Sequence, residues 1–348
     1  MKDISIKLSI IIPHFNGTKI LIGCLDSLNN CTYKDVEILV VDNGSTDDSI
    51  AVVKKKFPNV AIVSSDTNRG YAGGCNYGAE HANGRYVLFL NNDTIHKKNW
   101  LEPLIEKLDN DENISSVQPK ILNFHEQQQF DYAGAAGGHM DIFTYPFSRG
   151  RVFDSIEKDK GQYDDSVEIF WASGTAFITV KSIFETVGGF DETLFAHMEE
   201  IDYHWRCHLM GHSVWVEPKS VIHHMGGKTL AYGSPEKTYL NHRNSILLML
   251  TNYSFFVSIY LFFPRLMMEF LSLLKYFISG KIGHVWAQLR ALGWILVHPH
   301  IIGLRRWKVW KLRLVKDSEI LKKLHPQSIV WQYFAQQLKS YSQLKGNK

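Results

Sequence analysis

Cysteine is scarce in this sequence: four in 348 residues, Cys24, Cys31, Cys75 and Cys207, with no Cys-x-x-Cys among them. That excludes a disulfide framework, and a chain of this length builds its core without covalent staples, so the thiols read as reduced and the protein as cytoplasmic. A leader sequence is not expected either. The apolar run at residues 8–12 meets Pro13, His14 and Asn16 before it reaches signal length, and no small-residue cleavage site follows, so secretion is not expected. Acidic residues are depleted in the last third: residues 240–348 hold sixteen Lys and Arg against three Asp and Glu, while residues 1–239 hold twenty-two against thirty-two. The formal charge of +3 therefore hides an acidic body and a basic tail. With 45% hydrophobic, 21% charged and 13% aromatic residues, a disordered or fibrous chain is excluded and a globular one expected.

The β-branched run at residues 8–12 reads as a parallel strand buried on both faces, and the apolar runs at 36–41, 60–64 and 86–90 read as three further strands. Helices are expected between them, over residues 18–29 and again over 50–56, where Asp47 and Asp48 are placed to cap. Such βαβ units bind ligands at the carboxyl ends of their strands. Three polar clusters fall there: Pro13 to Asn16 in PHFN, Asp42 to Ser45 in DNGS, and Asn91-Asn92-Asp93. An acidic side chain such as Asp42 at a strand end can accept from a base N–H or a ribose hydroxyl, and Asp93 offers a hard carboxylate to a divalent cation bridging two phosphates. Each cluster also reads as an ordinary strand-end turn. The stretch Asn68-Arg69-Gly70-Tyr71-Ala72-Gly73-Gly74 has the density of a dinucleotide fingerprint without its spacing, which argues against an oxidoreductase. Two readings remain for it: a helix start approaching a diphosphate with Arg69 as charge partner, or a tight-packing turn.

The segments IIIPHFNG, LVVDNGSTDDS, NRGYAGGCNYG, LFLNND, WASGTAFITVKSIFETVGGFDE and FAHMEEIDYHWR occur in this order over residues 7–230. They resemble glycosyltransferase family 2, and within it the bacterial rhamnosyltransferase-like members. The resemblance implies a GT-A fold, an α/β nucleotide-sugar transferase domain with a Rossmann-like mixed sheet. It also implies inverting transfer from a nucleoside-diphosphate sugar and a Mn²⁺ or Mg²⁺ ion. By motif position Pro13, Asn16, Asp42, Asn68, Arg69, Gly70, Gly74, Asn91 and Asn92 fall on the nucleotide-sugar side, with Asp42 recognising the base. Asp93 becomes a metal ligand, and His224, in the His-x-Gly-Gly-x-Ser/Thr element spanning His224 to Thr229, a second one; His223 takes that role if the strand register differs. Asn91 departs from the family's first carboxylate, and Glu200 stands where the catalytic Asp is usual.

Inverting transfer needs one base opposite the leaving diphosphate, because the metal stabilises the leaving group. Glu200 is the expected base, with Glu199 and Asp202 as alternates. Glu199 and Glu200 also suit an acidic helix start, and Asp202 is spaced to pair with Arg206 at i+4. Trp171 and Gly174 frame the acceptor side, Trp171 either stacking on a sugar or buried in the core. A competing zinc site over His204, Cys207, His208 and His212 requires the helix to pass Gly211, which is expected to end it. Residues 124–165, rich in Gly, Gln and Asp, read as a loop region over the site.

The organisation expected is a GT-A domain over residues 1–230, with a nucleotide-sugar half (1–105) and an acceptor half (106–230), followed by a basic, apolar helical region over 231–348. Residues 244–264 carry no charge, but Asn244, Ser245, Thr251, Asn252, Ser254 and Ser258 interrupt them, which fits a polar stripe on an interfacial helix better than a membrane span. Arg305, Arg306, Lys308, Lys311, Arg313 and Lys316 are set to meet an anionic membrane surface, and Trp286, Trp294, Trp307 and Trp310 lie nearby. A span and a soluble tail are the alternatives. No nucleic-acid-reading motif accompanies the basic tail. The acceptor expected is lipid-linked or polysaccharide, the place of action the inner face of the cell membrane, and a homo-oligomer is left open. A UDP-hexose donor, or a non-catalytic sugar-nucleotide- or glycan-binding subunit, are the competing functions.

Overall fold

The computed structural model describes residues 6–226 and 233–345. The first half alternates β1 (Leu8–His14), α1 (Thr18–Asn29), β2 (Val36–Asp42), α2 (Ser49–Lys56), β3 (Ala61–Ser64), α3 (Gly70–His81) and β4 (Tyr86–Leu90). The four strands are parallel, in the order β3-β2-β1-β4. β1, β2 and β4 form because Ile10, Ile12, Val40 and Leu88 bury on one side of the sheet while Ile11, Val41, Val87 and Phe89 bury on the other, whereas β3 is a partly exposed edge strand. Asp48 sits at the start of α2 without a side-chain capping bond. Asp47 takes over: its carboxylate accepts from the Ser49 amide (3.1 Å) and from the Gly17 amide (2.7 Å), joining two loops at the strand ends.

The sheet then becomes mixed. After β5 (Thr94–His96), α4 (Leu101–Asn110) and β6 (Ile114–Asn123), four short strands, β7 (Gly138–Met140), β8 (Pro146–Ser148), β9 (Arg151–Val152) and β10 (Ser155–Ile156), make a separate antiparallel sheet. Residues 124–165 are therefore not an irregular loop. Two- and three-residue strands leave no periodicity to read, and this sheet is held by Phe147 and Val152 packing on Ile329, Tyr333 and Leu344 from the far end of the chain. β11 (Val167–Ile169), β12 (Ala176–Val180), α5 (Lys181–Val187), α6 (Glu199–Leu209) and β13 (Ser213–His224) complete the body. β12 runs antiparallel between β4 and β6, and β13 runs parallel to β6.

The C-terminal helices are α7 (Pro235–Asn252), α8 (Phe255–Ile278), α9 (Ile282–Val297), α10 (Pro299–Leu312), α11 (Asp317–Lys323), α12 (Ile329–Phe334) and α13 (Tyr341–Lys345). They do not stand apart: one hydrophobic cluster joins Leu194, Met198, Ile201 and Trp205 of the body to Ile246, Leu247, Met249, Ile295, Val309 and Ile320. The uncharged run at residues 244–264 is not one interfacial helix. It breaks between Asn252 and Phe255, and its polar side chains face inward: Asn244, Ser245, Thr251, Asn252 and Ser258 are all buried. Four of them satisfy buried carbonyls, as when Ser258 Oγ donates to the Met249 carbonyl (3.0 Å), and Asn252 Nδ2 donates to the Asp202 carboxylate (3.0 Å).

The basic cluster is divided in the same way. Arg305 is buried, donating to Asp202 (2.9 Å) and pairing with Asp191 (2.5 Å); Arg306 donates to the Leu250 carbonyl and Arg313 pairs with Asp317 (2.6 Å). Removing the Arg305 guanidinium takes a partner from both Asp191 and Asp202, a change that typically costs about 3–5 kcal/mol in a buried network. Lys308, Lys311 and Lys316 remain exposed.

Candidate active site

The carboxyl ends of β1, β2 and β4 meet through direct bonds. Asn92 Nδ2 lies 2.7 Å from His14 Nδ1, the Asn43 amide donates to the His14 carbonyl (2.9 Å), and Asp42 Oδ1 accepts from the Ser45 amide (2.8 Å). Asn16 fastens the first loop to the second, its Oδ1 accepting from the Thr46 amide (2.8 Å) and its own amide donating to Ser45 Oγ (3.1 Å). His14, not among the sequence candidates, is buried with Nε2 unpartnered, and burial lowers its pKa.

The start of α3 closes on this rim. Asn68 Oδ1 accepts from the Gly70 amide (2.8 Å), and Gly70, at φ +68, gives a backbone conformation that side chains rarely adopt. A Cβ on Gly74 would meet Asn43 at 2.8 Å and Pro13 at 3.3 Å, so this glycine serves the packing of the helix on the strand ends. Arg69 donates to Ser65 Oγ (3.0 Å) and covers the Tyr77 ring, 4.6 Å from its centroid. Of the two readings of this stretch, the packing one describes Gly74.

Asn91 connects this half to the other. Its amide donates to the Thr175 carbonyl (2.9 Å), and the neighbouring Gly174 carbonyl accepts from Tyr71 Oη (2.5 Å). The Gly174 amide in turn bonds the Glu200 carboxylate. Trp171 is not on an acceptor surface: it is 6% exposed, its indole N–H donates to the His139 carbonyl (2.8 Å), and its ring lies against Gly138, where any Cβ would clash.

Glu199 and Glu200 open α6. Burial pushes Glu200 up to about 7, against the pull of the amides of residues 200, 201 and 174. Burial and the adjacent Glu200 push Glu199 well above the ordinary carboxylate range. One oxygen of each carboxylate is buried without a partner among the described residues. Asp202 is different in kind. Its Oδ2 takes Arg206 Nε (2.9 Å), its Oδ1 takes Asn252 Nδ2 (3.0 Å) and Arg305 Nη2 (2.9 Å), so both oxygens are committed to structure and none is left to accept a proton from a substrate.

The loop before α6 is strained. Phe195, His197 and Met198 have φ of +59, +65 and +74, a conformation costing about 1–3 kcal/mol per residue. Two residues of α7 hold it: Asn244 Nδ2 donates to the carbonyls of Leu194 (3.0 Å), Ala196 (3.0 Å) and His197 (2.7 Å), and Arg243 Nη2 to those of Thr193 (3.1 Å) and Leu194 (3.0 Å). Asn244 thus positions the acidic helix start from outside the motif-bearing half. In the sequence it reads only as a polar interruption of an apolar run.

Asp93 and His224 converge on the opposite side of the rim. The β5–β13 register pairs His224 with Thr94, and His224 Nε2 lies 3.2 Å from Asp93 Oδ1, so His224 and not His223 faces Asp93. The other ring nitrogen, Nδ1, lies 2.9 Å from Asp131 Oδ1, a residue 93 positions away that no sequence motif marks. Burial alone would lower the imidazole's pKa, but Asp131 and Asp93 push it up to about 10. Two ligands of one octahedral ion at about 2.1 Å lie about 3 Å apart, so the Asp93–His224 spacing fits a shared divalent cation. A carboxylate on the far nitrogen is the usual way to orient a ligating histidine. Gly227, Lys228 and Thr229 of the same element lie outside the described residues. No group of three His, Cys, Asp or Glu among the described residues is arranged for a metal, which leaves the His204, Cys207, His208 and His212 zinc reading without support. α6 ends before Gly211, and His208 is bonded to the Phe170 and His212 carbonyls (2.9 and 3.0 Å).

Comparison with known proteins follows the same lines. The chain is 25% identical over 222 residues to the N-acetylglucosaminyl-diphospho-decaprenol L-rhamnosyltransferase of Mycobacterium tuberculosis, covering 59% of this chain and 72% of that one. It is 26% identical over 238 residues to an O-antigen biosynthesis protein of Myxococcus xanthus, 67% of this chain but only 18% of the relative's length. The crystal structure of GalNAc-T7 with UDP, GalNAc and Mn²⁺ superposes with a TM-score of 0.55 at 15% identity, over 71% of this chain and 48% of that one, which shows the GT-A fold. Residues 9–185, which carry the parallel strands, the Asn91-Asn92-Asp93 rim and the Gly174 turn, match the family described as glycosyl transferase family 2. With half the chain matched and the mixed sheet in place, this protein belongs to glycosyl transferase family 2.

Proposed function

We propose that this glycosyltransferase inverts the anomeric centre of a nucleoside-diphosphate sugar as it transfers the sugar to a hydroxyl, and that the donor is dTDP-L-rhamnose. The observation that carries this reading is Glu200: a carboxylate at a helix start, pushed up to about 7 by burial, bonded by the Gly174 amide next to the strand-end rim and with one oxygen unpartnered among the described residues. A group with that affinity for protons is well matched to removing one from an acceptor hydroxyl near neutral pH. Glu200 takes the proton as the hydroxyl oxygen attacks the anomeric carbon and the bond to the diphosphate breaks. Glu199, whose protonated form is favoured by burial and by the adjacent Glu200, keeps a second negative charge away from the base. Asp42 and the loops fastened by Asn16 receive the nucleoside, and Asp93 and His224 hold Mn²⁺ or Mg²⁺. When bound, that ion supplies neutralisation of the charge developing on the departing diphosphate.

The acceptor in this reading is lipid-linked or a cell-surface polysaccharide, and the enzyme works from the cytoplasm at the membrane's inner face. Support comes from the rhamnosyl- and O-antigen-related relatives. Release of nucleoside diphosphate from a panel of nucleotide sugars tests the donor. Turnover is expected with dTDP-rhamnose; preference for a UDP-hexose would overturn the rhamnose assignment while keeping the transferase. Nucleotide binding without turnover of any donor would replace the reading with a non-catalytic sugar-nucleotide-binding subunit.

A further inference from the structure

α8 touches the body along one narrow stripe. Ser258, Leu261, Arg265 and Glu269, spaced three and four apart, are its buried residues. The rest of its surface is apolar and open: Phe256 is 83% exposed, Tyr260 77%, Met267 71%, and Phe263 and Phe270 65% each. The run of exposed apolar side chains continues on α9 and α10 through Leu296 and Trp310. A face of this extent left in water is far outside what isolated surface hydrophobics explain.

Two further observations identify what covers it. The exposed charges of α8–α10 are all of one sign: Lys275, Lys281, Arg290, Lys308 and Lys311 are exposed, whereas the one acidic residue, Glu269, is 1% exposed and bonded to Arg265 (2.7 Å) and His242 (2.6 Å). Arg265 and Glu269 also fix the helix's attitude. Arg265 Nη1 donates to Thr144 Oγ1 (3.0 Å) and Ser245 Oγ (2.8 Å), and Gln288 Nε2 to the Glu269 carbonyl (2.9 Å). These bonds lock the middle of α8 lengthwise against the body, so although α8 is long and apolar enough to cross a bilayer, crossing would drag the body's polar groups into hydrocarbon.

We infer that α8, with the outer sides of α9 and α10, lies in the plane of an anionic lipid bilayer, its Phe, Tyr and Met side chains in the acyl boundary and its lysines among the head groups. This rests on the membrane-face placement proposed above and specifies the surface that makes the contact. An uncharged protein partner, or a second copy of this equally basic face, would not use the lysines, and an acidic protein partner would leave the protein unbound to lipid vesicles.

The test is sedimentation of the full chain with vesicles of phosphatidylcholine alone or mixed equally with phosphatidylglycerol. Binding to the mixed vesicles is expected to be tighter by roughly tenfold or more. Tyr260→Ser combined with Phe263→Ser and Met267→Ser, all at exposed positions, should weaken it by roughly a hundredfold while circular dichroism and thermal melting stay unchanged. Lys308→Glu with Lys311→Glu should remove the preference for the anionic lipid, and an alkaline carbonate wash should release the wild-type protein. Absence of binding to either vesicle, equal binding by the triple-serine variant, or retention through the wash would each overturn the inference. So would a dimer in light scattering that the triple-serine variant converts to monomer. Vesicle binding requires neither donor nor metal, so its failure leaves the transfer reading intact, and a vesicle-bound protein that turns over no donor counts against the transfer reading alone.

Discussion

Glu200→Gln is expected to lower turnover by roughly 10²–10⁴, the usual contribution of a positioned general base, with donor binding unchanged. Glutamine keeps the shape and the hydrogen bond from the Gly174 amide but has no affinity for the acceptor proton. The sign of the pH dependence follows from the same group. The base acts only when deprotonated, so with its pKa at about 7 the wild-type rate should rise as pH increases through 7 and then level off; the Gln variant should lack that limb. Glu199→Gln should be milder, because burial and the adjacent Glu200 favour its protonated form. Asp202→Asn should show its loss in thermal stability, since Arg206 loses its charged partner and Arg305 one of its two. A Glu200→Gln enzyme near wild-type turnover, beside a folded but dead Glu199→Gln enzyme, would move the base to Glu199.

Asp93→Ala is expected to abolish transfer outright, and excess chelator to do the same to the wild type. Among the described residues no other carboxylate or imidazole stands with His224 Nε2 except Asp93, so no neighbour can replace the lost ligand. Asp131→Asn should behave differently: Mn²⁺ affinity should fall by roughly 10–100-fold as His224 loses the carboxylate that orients it, and saturating Mn²⁺ should restore turnover. In the ion-free protein the two carboxylates raise His224 to about 10, so an ion must displace a proton to use Nε2, and metal affinity measured calorimetrically should rise with pH across the neutral range. Full activity in excess chelator would reject this site as a metal site.

The parts of the fold that the sequence reveals are those where one kind of residue has one use. The apolar run at residues 86–90 becomes a strand with those bounds because both of its faces are buried, leaving no competing period. The strand-end clusters are likewise visible, since Asn, Asp and Gly at the end of an apolar run have few other roles. Polar residues within apolar runs are where reading fails. Asn244, Thr251 and Ser258 have the spacing of a solvent-facing stripe, yet they bury and satisfy carbonyls; composition does not distinguish a polar group that meets water from one that replaces it. Arg305 misleads for the same reason, its charge being spent on Asp191 and Asp202. Asp131 illustrates a different limit: its bond to His224 spans 93 residues, and it lies in a stretch whose strands are too short to show a period.

The claim that one base, Glu200, drives a single displacement is tested most directly by the anomeric configuration of the product. With the donor sugar's anomeric proton and that of the freshly formed glycoside both followed by NMR, attack from the face opposite the diphosphate must give the configuration opposite to the donor's. Inversion in the wild type, lost together with product in Glu200→Gln, is the result predicted. Retention of the donor's configuration would contradict it, because retention requires a second displacement and a nucleophile that Glu200 acting alone as a base does not supply.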